Sequence, residues 1–383
     1  MASSAEVRIV ATTRVPLLHQ PPPHLEHLPL RRLPSLVESL KSSLADAIAV
    51  FFPLAGKLTY LPFTGDVVID CSLSAVGDGV VFLEAEAYGD ARVLSGAERH
   101  DVPAFLRFVP SLEAPEPPAP VFAVQATRFV DGGGVAVGVA AHHAVADLPT
   151  ANLLRRTWQH HDTTTLELES HRVAHIKNRI GEVNQAATTA SPGTNRRPLP
   201  STLVAISALI WSSVIRARSS QPNDSPGDDA CAHLVFLADC RPWLDRPVDA
   251  AYFGNCVRGC VAEAAAWDLA DPRSGVLRAR DAIEKAVDGF LERPMEAFDK
   301  WLDSVGALLR QPGFVAVTAS PRFPAYAAAD LGWGAPSRVE FVSESAPEGM
   351  MVVTGGRKKA SVQVSACLSP EHMDAFRSLV LDW

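Results

Sequence analysis

Apolar and polar positions recur with changing period along the 383-residue chain, and the changes mark out its elements. Residues 7–15 are rich in β-branched side chains and predict an opening strand. Pro21, Pro22, Pro23 and Pro29 then interrupt regular structure. Leu36, Leu40, Leu44 and Ile48 return every four residues, which predicts a helix ended by Phe51-Phe52-Pro53. Ser35, with Glu38 three residues on, fits a capping box at its start. Residues 67–71, 80–85 and 121–130 read as strands, and Asp131-Gly132-Gly133-Gly134 as a hairpin turn into a further strand at 135–141.

The second half repeats this mixed character. Leu153, Leu154 and Trp158 mark a helix, and the polar, Ser/Thr/Asn/Pro-rich stretch 181–200 reads as a linker. Ser201 and Thr202 open an apolar run at 203–215, which predicts a buried helix around Trp211. Residues 219–229 form a loop, 233–238, 315–318 and 361–365 are strands, and 276–291 is amphipathic. No short-period repeat is present. A chain of this length exceeds one growing core. The expectation is therefore an α/β protein of two domains, 1–180 and 201–383, joined by a 181–200 linker.

Composition narrows the function. With 47% hydrophobic and 20% charged residues and a net charge of −8, the chain is that of a globular protein without the basic face that nucleic acid requires. No apolar stretch approaches the roughly 18 residues of a membrane span. Met1 to Glu6 show no secretory pattern, so a cytoplasmic protein is expected. The six cysteines (Cys71, Cys231, Cys240, Cys256, Cys260 and Cys367) contain no CxxC pair, and Cys256 and Cys260 lack companions for a zinc set. Reduced thiols and no metal are expected.

The strand at 135–141 runs into His142-His143, with Asp147 four residues beyond the second histidine. Histidine titrates near neutrality, which makes His143 the first candidate for a general base. Asp147 admits two readings: it could orient that base, or cap the helix opened by Leu148-Pro149-Thr150; the second is favoured. No Gly-x-Ser-x-Gly elbow is present, and nothing around Ser320 recommends it as a nucleophile. Gly132-Gly133-Gly134 sits in a hairpin, not between strand and helix, which argues against a phosphate loop. Asp330-Leu331-Gly332-Trp333-Gly334 is a turn that fixes the direction of one indole N–H. Asp239-Cys240-Arg241-Pro242-Trp243 and Tyr252-Phe253-Gly254-Asn255-Cys256 are further strings at strand ends.

Taken together and in order, these strings resemble the plant BAHD acyltransferases. His143 and Asp147 match the family's His-x-x-x-Asp signature, and Asp330 to Gly334 its Asp-Phe-Gly-Trp-Gly signature, with Leu331 in place of phenylalanine. Tyr252 to Cys256 is similar to the branch that acylates anthocyanins and other phenolic glucosides, often from malonyl-CoA. The resemblance implies two chloramphenicol-acetyltransferase-like domains, the first carrying His143 and the second Trp333. It implies a monomer that holds no permanent cofactor and takes acyl-CoA as co-substrate with a small phenolic or glycosylated acceptor. His143 would accept the acceptor's proton, Trp333 would donate to the tetrahedral oxyanion, and Asp147 would support the loop. Ser201, Thr202 and Asn255 would contact coenzyme A. Asp330, paired with Arg241, and Gly332 and Gly334 would be structural.

Against the family pattern, Leu148 replaces a glycine, and the chain is short near residues 16–29 and 158–163. Residues 148–154 offer no cation for a malonyl carboxylate; Arg155 and Arg156 are the first. Two alternatives follow: a catalytically impaired binding protein, or an N-acyltransferase acting on amines.

Overall fold

The computed structural model describes residues 7–15, 33–77, 79–100, 102–112, 114, 116–131, 133–142, 145, 162–188, 198–220, 230–247, 254–298, 300–309, 311–343 and 346–383. The chain divides into two compact units. The first comprises Met1–Ala97, Asp101–Pro149 and Phe253–Asn255; the second comprises Glu98–His100, Thr150–Tyr252 and Cys256–Trp383.

In the first unit, β1 (Val7–Val15) is followed by α1 (Leu33–Val50), β2 (Lys57–Leu61), β3 (Asp66–Asp70), α2 (Leu73–Val76), β4 (Val80–Ala87) and α3 (Ala91–Gly96). The two-residue strand β5 (Arg99–His100) belongs to the second unit; α4 (Val102–Leu106), β6 (Ala119–Pro120), β7 (Phe122–Phe129) and β8 (Val135–Ala141) complete the first. One sheet has the order β1-β4-β7-β8, with only β4 and β7 parallel, and a smaller one the order β3-β2-β6. Helix α1 buries Leu40, Ala45 and Ile48 as its period requires. It begins at Leu33, so Ser35 lies in the first turn instead of capping it. Pro34 is tolerated there because the first turn's N–H groups have no intrahelical acceptor. The predicted β7–β8 hairpin forms, with Gly133 and Gly134 at positive φ. Gly138 in β8 allows a close approach: a Cβ there would lie 1.8 Å from the Phe108 carbonyl oxygen.

The second unit adds β9 (Asp162–Leu168), α5 (Ser170–Thr188), α6 (Thr202–Ser219), β10 (Cys231–Asp239), β11 (Val257–Ala265), α7 (Ala266–Ala270), α8 (Gly275–Glu292), α9 (Trp301–Leu308), β12 (Phe314–Thr318), α10 (Ala325–Ala328), β13 (Met350–Gly355), β14 (Val362–Leu368) and α11 (Pro370–Asp382). Its seven strands run β11-β10-β12-β13-β14-β9-β5, with β10, β12 and β13 mutually parallel. Helix α6 is apolar nearly all round, and 14 of its 18 residues are buried, Trp211 completely. Such a helix suits the middle of a core, not its surface. It packs with α8, α11 and the sheet around Leu209, Ile210, Val364 and Phe376.

The expected boundary at residue 180 differs from this division. β9 pairs antiparallel with β14 from Asp162↔Leu368 to Leu168↔Val362, and this carries residues 162–188 into the second unit. In α5 the buried set Val173, Ile176 and Ile180 keeps helical spacing, and the helix continues through 181–188, where a linker was expected. Residues 189–197, the rest of that linker except 198–200, lie outside the described residues, as do the expected helix around Leu153 to Trp158 and the loop 221–229. All six cysteines are free thiols. Among the described residues, no helix is long and apolar enough to cross a membrane.

Candidate active site

In the first unit the candidate chemistry begins at the end of β8. The His142 backbone N–H donates to the Val121 carbonyl at 2.8 Å, and the His142 carbonyl accepts from the Val145 N–H at 2.9 Å. Val145 is buried with Leu58 and Val121. The residues flanking His143 are therefore pinned by backbone hydrogen bonds and by an apolar anchor. His143 and Asp147 themselves lie outside the described residues, as do Leu148, Arg155, Arg156, Tyr252 and Phe253.

In the second unit the two faces of β14 do different work. Strand period two sends Val362, Val364, Ala366 and Leu368 into the apolar core and Gln363, Ser365 and Cys367 to the other face. Residues 319–343 are tied to that polar face. The Tyr326 hydroxyl donates to Gln363 Oε1 at 2.7 Å, and Gln363 Nε2 donates to the Val339 carbonyl at 2.9 Å. Thr165 Oγ1 donates to Glu340 at 2.9 Å and lies 2.9 Å from the Ser365 hydroxyl. Glu340 also holds Arg338. Burial pushes the Tyr326 hydroxyl above its ordinary range, so it stays protonated and donates.

Within this anchored segment, Asp330 organises the expected turn. Its Oδ1 accepts from the Gly332 N–H at 2.9 Å and from the Gly334 N–H at 3.0 Å. Both glycines have φ near +90° with open space around them, so conformation, not crowding, demands glycine at each position. Trp333 lies between them, half-buried, and its indole N–H has no hydrogen-bond partner among the described residues. The expected Asp330–Arg241 ion pair is not formed. Arg241 instead pairs with Asp239, whose Oδ1 accepts from both its guanidinium and its backbone N–H at 3.0 Å. Two residues of separation bring these groups together at the end of β10, and the carboxylate of Asp330 is already engaged by its own turn.

The remaining candidates are scattered along the chain. Ser201 caps α6, its Oγ accepting from the Val204 N–H at 3.2 Å, and Thr202 is the first residue of that helix. Asn255 is exposed, beside Cys256, whose carbonyl accepts from the Cys240 N–H at 2.8 Å. Burial, assisted by Glu263, lifts the Cys231 thiol to about 11, and burial lifts Cys260 to about 11, so both stay protonated and are poor nucleophiles at neutral pH. Sequence reasoning missed the buried polar row Thr165, Gln363 and Ser365. It also missed Ala319, held at φ +63° just past the end of β12. The polar alternation of 363, 365 and 367 was a visible signal; the strained alanine left none.

The chain matches the Transferase family over residues 28–163 and 154–380 and belongs to it. It is an acyl-CoA-dependent acyltransferase of the BAHD type. It is 26% identical to the Arabidopsis thaliana malonyl-CoA:anthocyanidin 5-O-glucoside-6''-O-malonyltransferase, covering 92% of this chain and 88% of the relative. It is 24% identical to phenolic glucoside malonyltransferase 2 of the same plant, covering 89% and 84%. The alignment to the first spans 414 positions, against 383 residues in this chain. Vinorine synthase shares the fold at TM-score 0.69 and 16% identity, covering 98% of each chain. The Fusarium sporotrichioides TRI101 structure, complexed with coenzyme A and T-2, shares it at TM-score 0.64 and 14% identity, covering 98% of this chain and 94% of that one. The two mixed α/β units are thus those of the expected chloramphenicol-acetyltransferase-like fold.

Proposed function

We propose that this acyltransferase moves a malonyl or hydroxycinnamoyl-like group from coenzyme A to a hydroxyl of a phenolic or flavonoid glucoside. The observation that carries the reading is the Asp330 turn. Its carboxylate and two positive-φ glycines present Trp333 as a donor without a partner among the described residues, in the register of the family signature. The donor and acceptor classes rest on relatives named as malonyltransferases and coumaroyltransferases of anthocyanidin glucosides.

In this reading His143 takes the proton of the acceptor hydroxyl as its oxygen attacks the thioester carbonyl. Trp333 donates its N–H to the oxyanion of the tetrahedral intermediate. Collapse expels the coenzyme A thiolate, which takes the proton back from the imidazolium, so no acyl-enzyme forms. The protonated thiols of Cys231 and Cys260 agree with direct transfer. Asp147 supports the histidine loop, and Ser201, Thr202 and Asn255 lie along coenzyme A. Arg155 and Arg156 are the candidate cations for a malonyl carboxylate.

The test is acyl transfer from a panel of coenzyme A thioesters to flavonoid and phenolic glucosides, with amines as competing acceptors. His143→Ala should lower kcat/KM by about 10²- to 10⁴-fold. Equal activity in the variant overturns the mechanism, and transfer to amines alone overturns the acceptor class.

A further inference from the structure

The start of β10 and the end of β11 bring together three side chains that acyl transfer does not use. The two-residue period of β10 places Cys231 and His233 on one face, and the antiparallel register sets Glu263 of β11 opposite His233. One ligand atom from each of the three lies within 4.8 Å of the others. Val235, farther along the same face, packs with Phe314 and Ala316, so this face of β10 turns apolar beyond His233.

His233 is the residue that points to a ligand. It is 8% exposed, and its Nδ1 is buried with no hydrogen-bond partner among the described residues. Its Nε2 stands 3.8 Å from Glu263 Oε2, beyond hydrogen-bonding distance. Nε2 is thus the ring nitrogen that faces Glu263, and an ion held there would lie in the gap between the imidazole and the carboxylate; the unsatisfied Nδ1 is a separate cost that this ion leaves in place. Glu263 and Cys231 are exposed, which gives an ion a route in from solvent.

We infer that Cys231, His233 and Glu263 form a three-ligand site for a divalent zinc ion, with a fourth position left for water. Thiolate, imidazole and carboxylate together suit a borderline-soft cation, whereas calcium and magnesium favour all-oxygen sets. Tetrahedral zinc with bonds of about 2.0–2.3 Å holds its donors about 3.3–3.8 Å apart. An imidazole nitrogen and a carboxylate oxygen fall in the lower part of that range, and His233 and Glu263 stand slightly wider at 3.8 Å; the exposed Cys231 and Glu263 side chains can rotate to close the set around an ion. On binding, the Cys231 thiol releases its proton to solvent, and each ligand donates one electron pair to the ion without change of oxidation state. The two anionic ligands balance the ion's charge. Because β11 is the edge strand, the ion cross-links that edge to its neighbour.

The test uses the full chain, stripped with a chelator, kept reduced with a phosphine and titrated with Co²⁺ as a spectroscopic probe. The expected result is a single saturable site with thiolate-to-cobalt charge transfer and tetrahedral visible bands, both abolished by Zn²⁺. Cys231→Ser should lose the charge-transfer band, and Glu263→Gln should weaken binding about 10-fold or more. Both replaced side chains are solvent-exposed, and circular dichroism checks that the fold is kept. Cys71→Ser should leave the spectrum unchanged. No saturable band in the wild type, or a band that survives Cys231→Ser, overturns the site.

Discussion

The last strand of the first unit's larger sheet and an interior strand of the second unit's sheet, β14, are built to different standards. In β8, Val135, Val137 and Val139 are 36–53% exposed, whereas every residue of β14 is buried. The second sheet has apolar helices on one face, and on the other it carries α9 against β10 and β12 and the hydrogen-bonded residues 319–343 against β14. Its candidate donor, Trp333, therefore belongs to a segment anchored on a rigid plate. The histidine strand is an edge strand, paired on one side only, with β7, and its far end is held by the backbone hydrogen bonds of His142 and Val145 and by the burial of Val145.

The strongest way to break this contrast is Trp211→Ala in α6. It empties the centre of the large core and should cost about 3–5 kcal/mol in chemical denaturation, with loss of soluble protein as an extreme outcome. Next is Gly334→Ala, which forces a Cβ onto a backbone at φ +93°. It should cost about 1–3 kcal/mol locally, with little change in far-UV circular dichroism. Acyl transfer should fall far more than stability does.

A pH series sharpens the picture of the second unit. Glu348 Oε1 lies 3.0 Å from His372 Nδ1 and 3.6 Å from Arg218 Nε. Burial alone would raise its carboxyl, but Arg218 and His372 outweigh burial and hold it below the ordinary 4.5. A depressed carboxyl stabilises the folded state above the unfolded value and loses that contribution as pH falls through the folded one. Denaturation midpoints should therefore drop below about pH 4.5, and Glu348→Gln should flatten that part of the curve. Smaller still is Ser201→Ala, which removes the cap of α6 at a cost of about 1 kcal/mol. Val139→Ala in β8 should stay within about 0.5 kcal/mol. If it instead rivals Trp211→Ala, the contrast between the two units fails.

Local patterns were legible where local physics decides. The Asp330 turn follows from one carboxylate within reach of two nearby N–H groups and from two glycines able to take positive φ. The buried helix α6 and the β7–β8 hairpin follow from hydrophobic period and turn residues in the same way. Arg241 pairs with Asp239 in place of the expected Asp330, because a carboxylate two residues away at the strand end is already within reach of its guanidinium and N–H.

By itself, then, the sequence determined helices α1, α6 and α8, the β7–β8 hairpin, the glycine turn and the family that its ordered strings resemble. Only the tertiary structure decided that residues 162–168 pair with 362–368, that Thr165 meets Glu340 and Ser365, and that Cys231, His233 and Glu263 converge. Strand period states which face a side chain takes, but not which distant strand lies beside it. That choice is made by burial of the whole sheet and by the satisfaction of its polar groups, which no local window contains.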